Sequence, residues 1–410
     1  MKAKLFTASI FISLFLIFTL SPIHAQSIKV PGVVVSFSPA STKIYIGSPS
    51  ICILPNGDYL ASHDYFGPGS TEHKQALTII YKSTNKGKSW KKLSEINGQF
   101  WSNLFVHKNA IYILGTWNNY GNLIIRKSLD NGLTWSNPTD RSNGLLLEGE
   151  YHTSSMPVIM LNGRLWRAIE NAKSYTTEWG KRYSAMVISA PVNSDILNGK
   201  NWLASNSLPY DSTYLNGNFG GWLEGNTVVT PEGNLVDILR VSSSEKGREL
   251  SAVVNISSDG QIATFDSSTG FREFDGGAKK FVIRYDEDSK RYWTLTNIVK
   301  DEFSNLPPGG VRNTLVLASS SDLKKWKKHK VLLSHPDVKK HGFQYADWQF
   351  DGRDIIFLSR TAFDDEFGGA HNYHDANYLT FHRIKRFKKY NNCFFSLFSC
   401  RSLSKQANGL

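Results

Sequence analysis

The 410-residue chain carries 47 Lys and Arg against 35 Asp and Glu, a formal charge of +12, on 40% hydrophobic and 13% aromatic residues. This composition excludes a disordered chain and a coiled coil, and it leaves enough apolar matter for a sizeable core. Three cysteines (Cys52, Cys393 and Cys400) with no C-x-x-C pair exclude a disulfide scaffold and point to neither zinc nor thiol-redox chemistry.

At the start of the chain, Lys2 and Lys4 precede an uncharged, almost wholly apolar run over residues 5–20, and residues 21–25 end on the small Ala25. The pattern predicts a secretory leader over residues 1–25, cleaved to leave a mature chain from Gln26, exported to the periplasm or beyond. The run is too short for a bilayer anchor, and no later stretch is apolar enough to span one. Setting aside Lys2, Lys4 and the seven basic residues between Arg383 and Leu410, residues 26–382 carry only +3. The basic excess therefore sits at the chain ends and argues for no nucleic-acid partner. Residues 391–410 read as a flexible tail.

From there one unit recurs six times: an apolar run, a tight polar turn, and a second alternating run. The turns are Asn56-Gly57, Lys108-Asn109, Asn162-Gly163, Glu232-Gly233, Asp288-Ser289 and Asp351-Gly352. Third strands are predicted over residues 77–82, 123–128, 184–190, 250–256, 313–319 and 377–383. Several lead into a second kind of turn, fully developed in Ser128-Leu129-Asp130-Asn131-Gly132-Leu133-Thr134-Trp135 and more weakly at residues 83–90, 320–326 and 257–265. Asp and Ser side chains hydrogen-bond their own turn backbone, Gly supplies positive φ, and the Trp covers the hairpin.

This second turn resembles the Asp-box of the sialidase superfamily, S-x-D-x-G-x-x-W. The resemblance implies an all-β fold, a β-propeller of four-stranded antiparallel blades, occupying residues 26–390 as one domain. The hairpin count gives six blades, with a strand near residues 33–37 completing the last sheet. A seventh blade would require residues 27–45 to form more than that.

In such a blade, the turn between strands one and two and the Asp-box turn lie at one end, so the opposite end carries the strand-one starts, the strand-two ends and the long two-to-three loops. Propeller inner strands crowd the axis, so residues at that end should converge on a funnel. His63, His152, Tyr345, His371 and His374 are the candidates there for moving protons. Arg240, Arg312, Arg360, Lys279, Lys280 and Asn226 are candidates for holding a carboxylate. Trp222, Glu224 and Gln344 complete the expected substrate contacts. Glu224, Glu170, Asp347 and Asp64 could instead supply the carboxyl pair of a glycosidase. His371, His374 and Asp375 are residue types that bind divalent ions, but their spacing in a loop does not specify a metal, and no metal or cofactor is expected.

Segments 54–59, 221–226 and 341–348 resemble secreted sialidase-like propellers of polysaccharide-degrading bacteria, including lyases and a dehydratase acting on uronic acids of ulvan-type glycans. The resemblance implies an enzyme that removes water or the next sugar from a uronate by β-elimination, with an acidic oligosaccharide as partner and a monomeric chain. The alternatives are an exo-glycosidase acting on a terminal acidic sugar, and a glycan-binding propeller without catalysis. A working sialidase would carry an Arg-Ile-Pro element near the first blade, a Tyr/Glu nucleophile pair and an arginine triad. This chain has no Arg-Ile-Pro.

Overall fold

In the computed structural model, which describes residues 29–392 except Lys246, each of the six predicted turns joins two neighbouring antiparallel strands. The expected leader, and the tail from Cys393 onward, lie outside the described residues. Lys108 and Asn109 (φ 47° and 61°) and Asn162 and Gly163 (φ 49° and 71°) adopt two successive left-handed conformations. That twist matches the right-handed twist of the flanking strands, which is why Asn and Gly recur at these points.

The strands form six sheets in a six-bladed propeller. Blade 1 is built from Ser50–Ile53, Tyr59–Phe66, Leu77–Ser83 and Lys91–Asn97, and blade 2 from Phe100–His107, Ala110–Thr116, Leu123–Ser128 and Leu145–Leu147. Blades 3 and 4 are centred on Arg164–Asn171 with Ser184–Pro191, and on Phe219–Val229 with Leu235–Ser243 and Leu250–Ile256. Blade 5 holds Val282–Asp286, Arg291–Asn297, Thr314–Ser320 and Lys327–Ser334. Blade 6 holds Gly342–Asp351, Asp354–Ala362 and Tyr378–Ile384, and its outer edge is completed by Val33–Phe37. Pairing the first strand with the last closes the ring and removes an open sheet edge. A seventh blade does not form. The described part of residues 27–45 supplies this closing strand, one short turn over Ala40–Thr42, and the start of the Tyr45–Ile46 strand that pairs with blade 1.

The Asp-box turns behave as their chemistry requires. Ser128 Oγ donates to Asp130 Oδ1 (2.8 Å) and accepts the Gly132 amide (2.9 Å), Asp130 accepts the amides of Leu133 and Thr134, and Trp135 Nε1 donates to the Gly132 carbonyl (3.1 Å). Ser83, Ser257 and Ser320 make the same side-chain bond to Asn85, Asp259 and Asp322.

Trp166, Trp222, Trp293 and Trp348 are fully buried. Polar struts tie the inner strands around the axis. Ser50 Oγ donates to Asp347 Oδ2 (3.0 Å) in blade 6 and accepts the Leu104 amide (2.9 Å) in blade 2. The first strand of blade 3 is broken into Tyr151–His152 and Ile159–Leu161. Buried Arg167 accounts for the break, because its guanidinium donates to Thr153 Oγ1 (2.5 Å), to the Ser154 carbonyl and to Asn103 Oδ1 (3.0 Å) in blade 2. No described helix is long and apolar enough to cross a membrane.

Candidate functional site

Three inner strands carry a bulge near their funnel end, where pairing shifts between Phe100 and Asn103, Leu223 and Asn226, and Gln344 and Asp347. Each bulge holds a bulky residue in the left-handed region: Trp101 (φ 45°), Glu224 (φ 58°) and Tyr345 (φ 54°). Such backbone costs on the order of 1–3 kcal/mol and persists where its surroundings over-determine it. A bulge also re-aims a side chain, and all three of these residues line one cavity of about 250 Å³, together with Asp64, Arg360 and His152. In blade 1 a glycine does the equivalent job. A Cβ at Gly47 would stand 1.6 Å from Asp64 Oδ1, so only glycine lets the chain pass over that carboxylate. A second cavity of about 330 Å³ shares Trp179, Tyr345 and His374 with the first and adds Arg240 and Arg312.

Tyr345 stands among three guanidinium groups. Those of Arg312 and Arg360 lie 5.4 and 4.8 Å from its ring centre, and Arg240 lies against its hydroxyl. Arg240 is paired with Glu224 Oε2 (3.0 Å). Arg312 and Arg360 form no direct salt bridge among the described residues. Arg312 is held by Gln344 Oε1 (2.6 Å) and the Gly309 carbonyl (2.9 Å), and Arg360 by the His374 carbonyl (2.6 Å). Two oriented guanidinium groups without a salt-bridge partner, on adjoining cavities that share Tyr345, make an anion site, and a carboxylate fits their planar forks.

The carboxyl groups divide into two kinds. Burial opposes ionisation of Glu224, but Arg240, His152 and Arg312 together hold it below the usual carboxylate range. Burial pushes Asp64 up to about 7, a rise only partly offset by the Ser48 and Trp101 amides that it accepts (2.7 and 2.6 Å) and by Arg360. One acid is thus kept charged and another is poised near neutrality, the separation expected of an acid/base site. His152 is oriented by Glu170, with Nδ1 2.7 Å from Oε2, and its ring packs against Trp101 and Tyr183.

Other sequence candidates fall elsewhere. His63 sits behind the funnel wall, with Nε2 bonded to Ser36 Oγ (3.0 Å) and Nδ1 to the Asp64 carbonyl (2.9 Å), and burial lowers it to about 4. His371 is exposed, stacked on Tyr45 and bonded to Asp375 Oδ2 (2.8 Å), outside both cavities. His374 does line both. Burial, followed by the adjacent Arg360, lowers it to about 3. Lys279 is buried and paired with Glu249, so it is not free for substrate. Lys280 donates to the carbonyls of Ala346 (3.0 Å) and Tyr345 (3.4 Å), and so pins the bulge that presents Tyr345. Asn226 is a strut from blade 4 to blade 5, donating to the Phe281 carbonyl (3.1 Å) and accepting the Ile283 amide (2.9 Å). Gln344 links Arg312 to the carbonyl of Tyr373 (2.5 Å).

Trp222 is wholly buried among Phe219, Phe265 and Tyr214. It is a core plug, not a sugar platform. An exposed ring that can meet a sugar is Trp179, absent from the sequence candidates. It lies in the loop after the second strand of blade 3, is 49% exposed and borders both cavities. No sequence pattern marks it, because a Trp in a long loop has no periodicity to betray its direction. Trp179→Ala is expected to raise KM severalfold on a cleavable substrate and leave the unfolding midpoint in place. Trp222→Ala is expected to cost about 3–5 kcal/mol of stability and leave the KM of the folded fraction unchanged.

No protein-family model matches the chain, and no curated protein matches it in sequence. Solved structures do match. The α-L-arabinanase of Penicillium chrysogenum, solved with arabinobiose, superimposes with a TM-score of 0.52 at 14% identity, over 87% of this chain and 98% of that one. A protein of unknown function from Dyadobacter fermentans gives 0.58 at 14% identity, over 87% and 99%. The sialidase of Trypanosoma rangeli, solved with the inhibitor DANA, gives 0.54 at 14% identity, over 86% of this chain and 57% of the sialidase chain. The fold is a sialidase-like propeller. At these identities the likeness extends to the fold alone.

Proposed function

We propose that this propeller is a glycoside hydrolase that removes a terminal acidic sugar, working with retention of anomeric configuration. The observation that carries this reading is the convergence of Tyr345, Glu224 and three arginines at one mouth, with Asp64 in the same cavity. The sugar carboxylate pairs with Arg312 and Arg360. A neutral phenol can approach the anomeric carbon beside that carboxylate without the repulsion a second carboxylate would meet, and tyrosine is a known nucleophile in such hydrolases. Arg240 joins Tyr345 to Glu224, the carboxylate that takes the phenolic proton. Asp64 gives its proton to the leaving oxygen as the glycosidic bond breaks, then takes one from the water that attacks the anomeric carbon, while Glu224 returns its proton to the departing Tyr345 oxygen. The arabinanase and the sialidase among the structural neighbours favour hydrolysis over the elimination suggested by the sequence.

A second reading has one observation in its favour. His152, oriented by Glu170 and lining the cavity, is placed to take the C5 proton of a uronate in β-elimination. Mass spectrometry of products from a panel of oligosaccharides ending in acidic sugars, run in ¹⁸O-water, separates the two. Cleavage with ¹⁸O at the anomeric carbon supports hydrolysis. An unsaturated uronate without label would sink it, and binding without turnover across the panel would leave a glycan-binding propeller. The leader expected over residues 1–25 supports, as part of this proposal, an exported enzyme acting in the periplasm or outside the cell.

A further inference from the structure

The connector from the outer strand of blade 5 to the inner strand of blade 6 carries two histidines that the funnel does not use. Asp337 caps its turn, with Oδ1 accepting the Lys339 and Lys340 amides (2.7 and 3.3 Å). The turn folds His341 back onto His335, so that the imidazoles stack with centroids 3.5 Å apart and planes 18° apart. Phe363 stands edge-on to both rings, at 5.7 and 5.0 Å, and closes one side of the pair with an apolar wall. Asp364, the next residue, begins the long loop of blade 6 and brings its carboxylate to the same place.

The hydrogen-bond pattern around His341 is unbalanced. Its side chain is 4% exposed, and Nδ1 is bonded to Asp337 Oδ2 at 3.2 Å. That bond commits the ring proton to Nδ1, leaving a lone pair on Nε2. Nε2 is buried with no hydrogen-bond partner, yet it points to Asp364 Oδ2 at 3.4 Å. A lone pair facing a carboxylate oxygen across that gap is repulsive unless a second ring proton or a metal cation lies between them. One ligand atom each from His335, His341 and Asp364 falls within 4.8 Å of the others. A tetrahedral zinc ion with ligand bonds of about 2.0–2.1 Å holds neighbouring ligand atoms about 3.3 Å apart, close to the separation of Nε2 and Oδ2.

We propose that His335, His341 and Asp364 bind a divalent transition-metal ion of the zinc type. Two imidazole nitrogens and a carboxylate oxygen suit a borderline-soft ion better than calcium or magnesium. Asp337 is the outer carboxylate that fixes the tautomer of His341, the usual support of a metal-bound imidazole. Stacked rings do not aim their in-plane lone pairs at one point, so on binding His335 turns out of the stack, and the ion takes the place either of the Asp337 amide on its Nδ1 (3.1 Å) or of its remaining ring proton. Solvent completes the coordination on the exposed Asp364 side. The ion ties the blade 5–6 connector to the loop that carries His374, a loop already joined to it by the Tyr373 amide on the Lys339 carbonyl (2.8 Å). It is therefore a rim staple that holds His374 against Arg360, and it lies apart from His371 and Asp375.

The test uses tag-free full-length protein stripped by a chelator and titrated with Zn²⁺, and with Co²⁺ for its visible ligand-field band. The expected result is one equivalent bound, a rise in unfolding temperature on adding Zn²⁺, and a cobalt band typical of four-coordination. His341→Ala and the exposed-side Asp364→Ala should each weaken binding at least tenfold, Asp337→Asn should weaken it by about 10–100-fold, and His371→Ala should leave it unchanged. Circular dichroism of each stripped variant separates lost binding from lost fold, and Asp364→Ala keeps the test decisive if His341→Ala does not fold. The proposal is overturned if the stripped protein binds no zinc, if folded Asp364→Ala binds as tightly as the parent, or if His371→Ala abolishes binding.

Discussion

Tyr345→Phe is expected to lower kcat by roughly 10³-fold or more while leaving KM within a few-fold, since removing a nucleophile is among the costliest single changes to a catalytic constellation. The lost oxygen is the only atom deleted. The ring stays between Arg312 and Arg360, and the bulge stays pinned by Lys280. Unfolding of the variant should therefore match the parent. Steady-state kinetics alongside a thermal melt checks this, and a variant retaining more than a tenth of parental kcat would remove Tyr345 from the chemistry. Trapping the parent with a slow-leaving fluorinated substrate should add the mass of one sugar to the peptide containing Tyr345, and Tyr345→Phe should show no such adduct.

Asp64→Asn is expected to cost about 10²–10⁴ in kcat on a natural glycoside, the usual worth of general acid catalysis. On an aryl glycoside whose leaving group needs no proton, most of that loss should vanish, whereas Tyr345→Phe should stay inactive on both. The pH dependence follows from the same residue. With Asp64 raised to about 7, the parent should lose activity as pH rises through about 7 and the acid gives up its proton. The linked stability has the same sign. Between the ordinary value of 3.8 and about 7, the folded protein holds a proton that the unfolded chain has released, so stability should be fully present below that window and decline as pH climbs across it. Asp64→Asn should flatten both profiles. A parental rate that stays constant from pH 5 to pH 9 would show that another group supplies the proton.

Gly47 extends this argument to the backbone. Because a Cβ there would collide with Asp64 Oδ1, Gly47→Ala should displace the acid and reproduce the kinetic loss of Asp64→Asn, with added destabilisation from the shifted strand. Measured together, the two variants separate loss of the proton donor from loss of its placement.

Much of the scaffold was legible before any coordinates. The six hairpin turns, the third strands over 123–128 and 250–256, the Asp-box geometry and the closing strand near residue 33 all depend on interactions between residues close in sequence or on strict strand alternation. The end of the propeller that would carry the site followed from strand topology. Tyr345, Glu224, Arg240, Arg312, Arg360, His152 and His374 do meet there, while His63, His371, Lys279, Asn226 and Trp222 are diverted into struts, ion pairs and core.

What separates these two groups is not residue type or position along a strand. Glu224 and Asn226 are two residues apart, yet one faces the funnel and the other bridges two blades, because a bulge between Leu223 and Asn226 breaks the alternation that would have put both on one side. Trp179 reaches the axis only because a long loop folds over it. By itself the sequence determined the blade hairpins, a count of six with seven left open, and the end at which the long loops gather, since turn chemistry and alternation act over a few residues. The tertiary structure alone decided which rim residues converge, since bulges, loop paths and inter-blade hydrogen bonds depend on neighbours tens to hundreds of positions away.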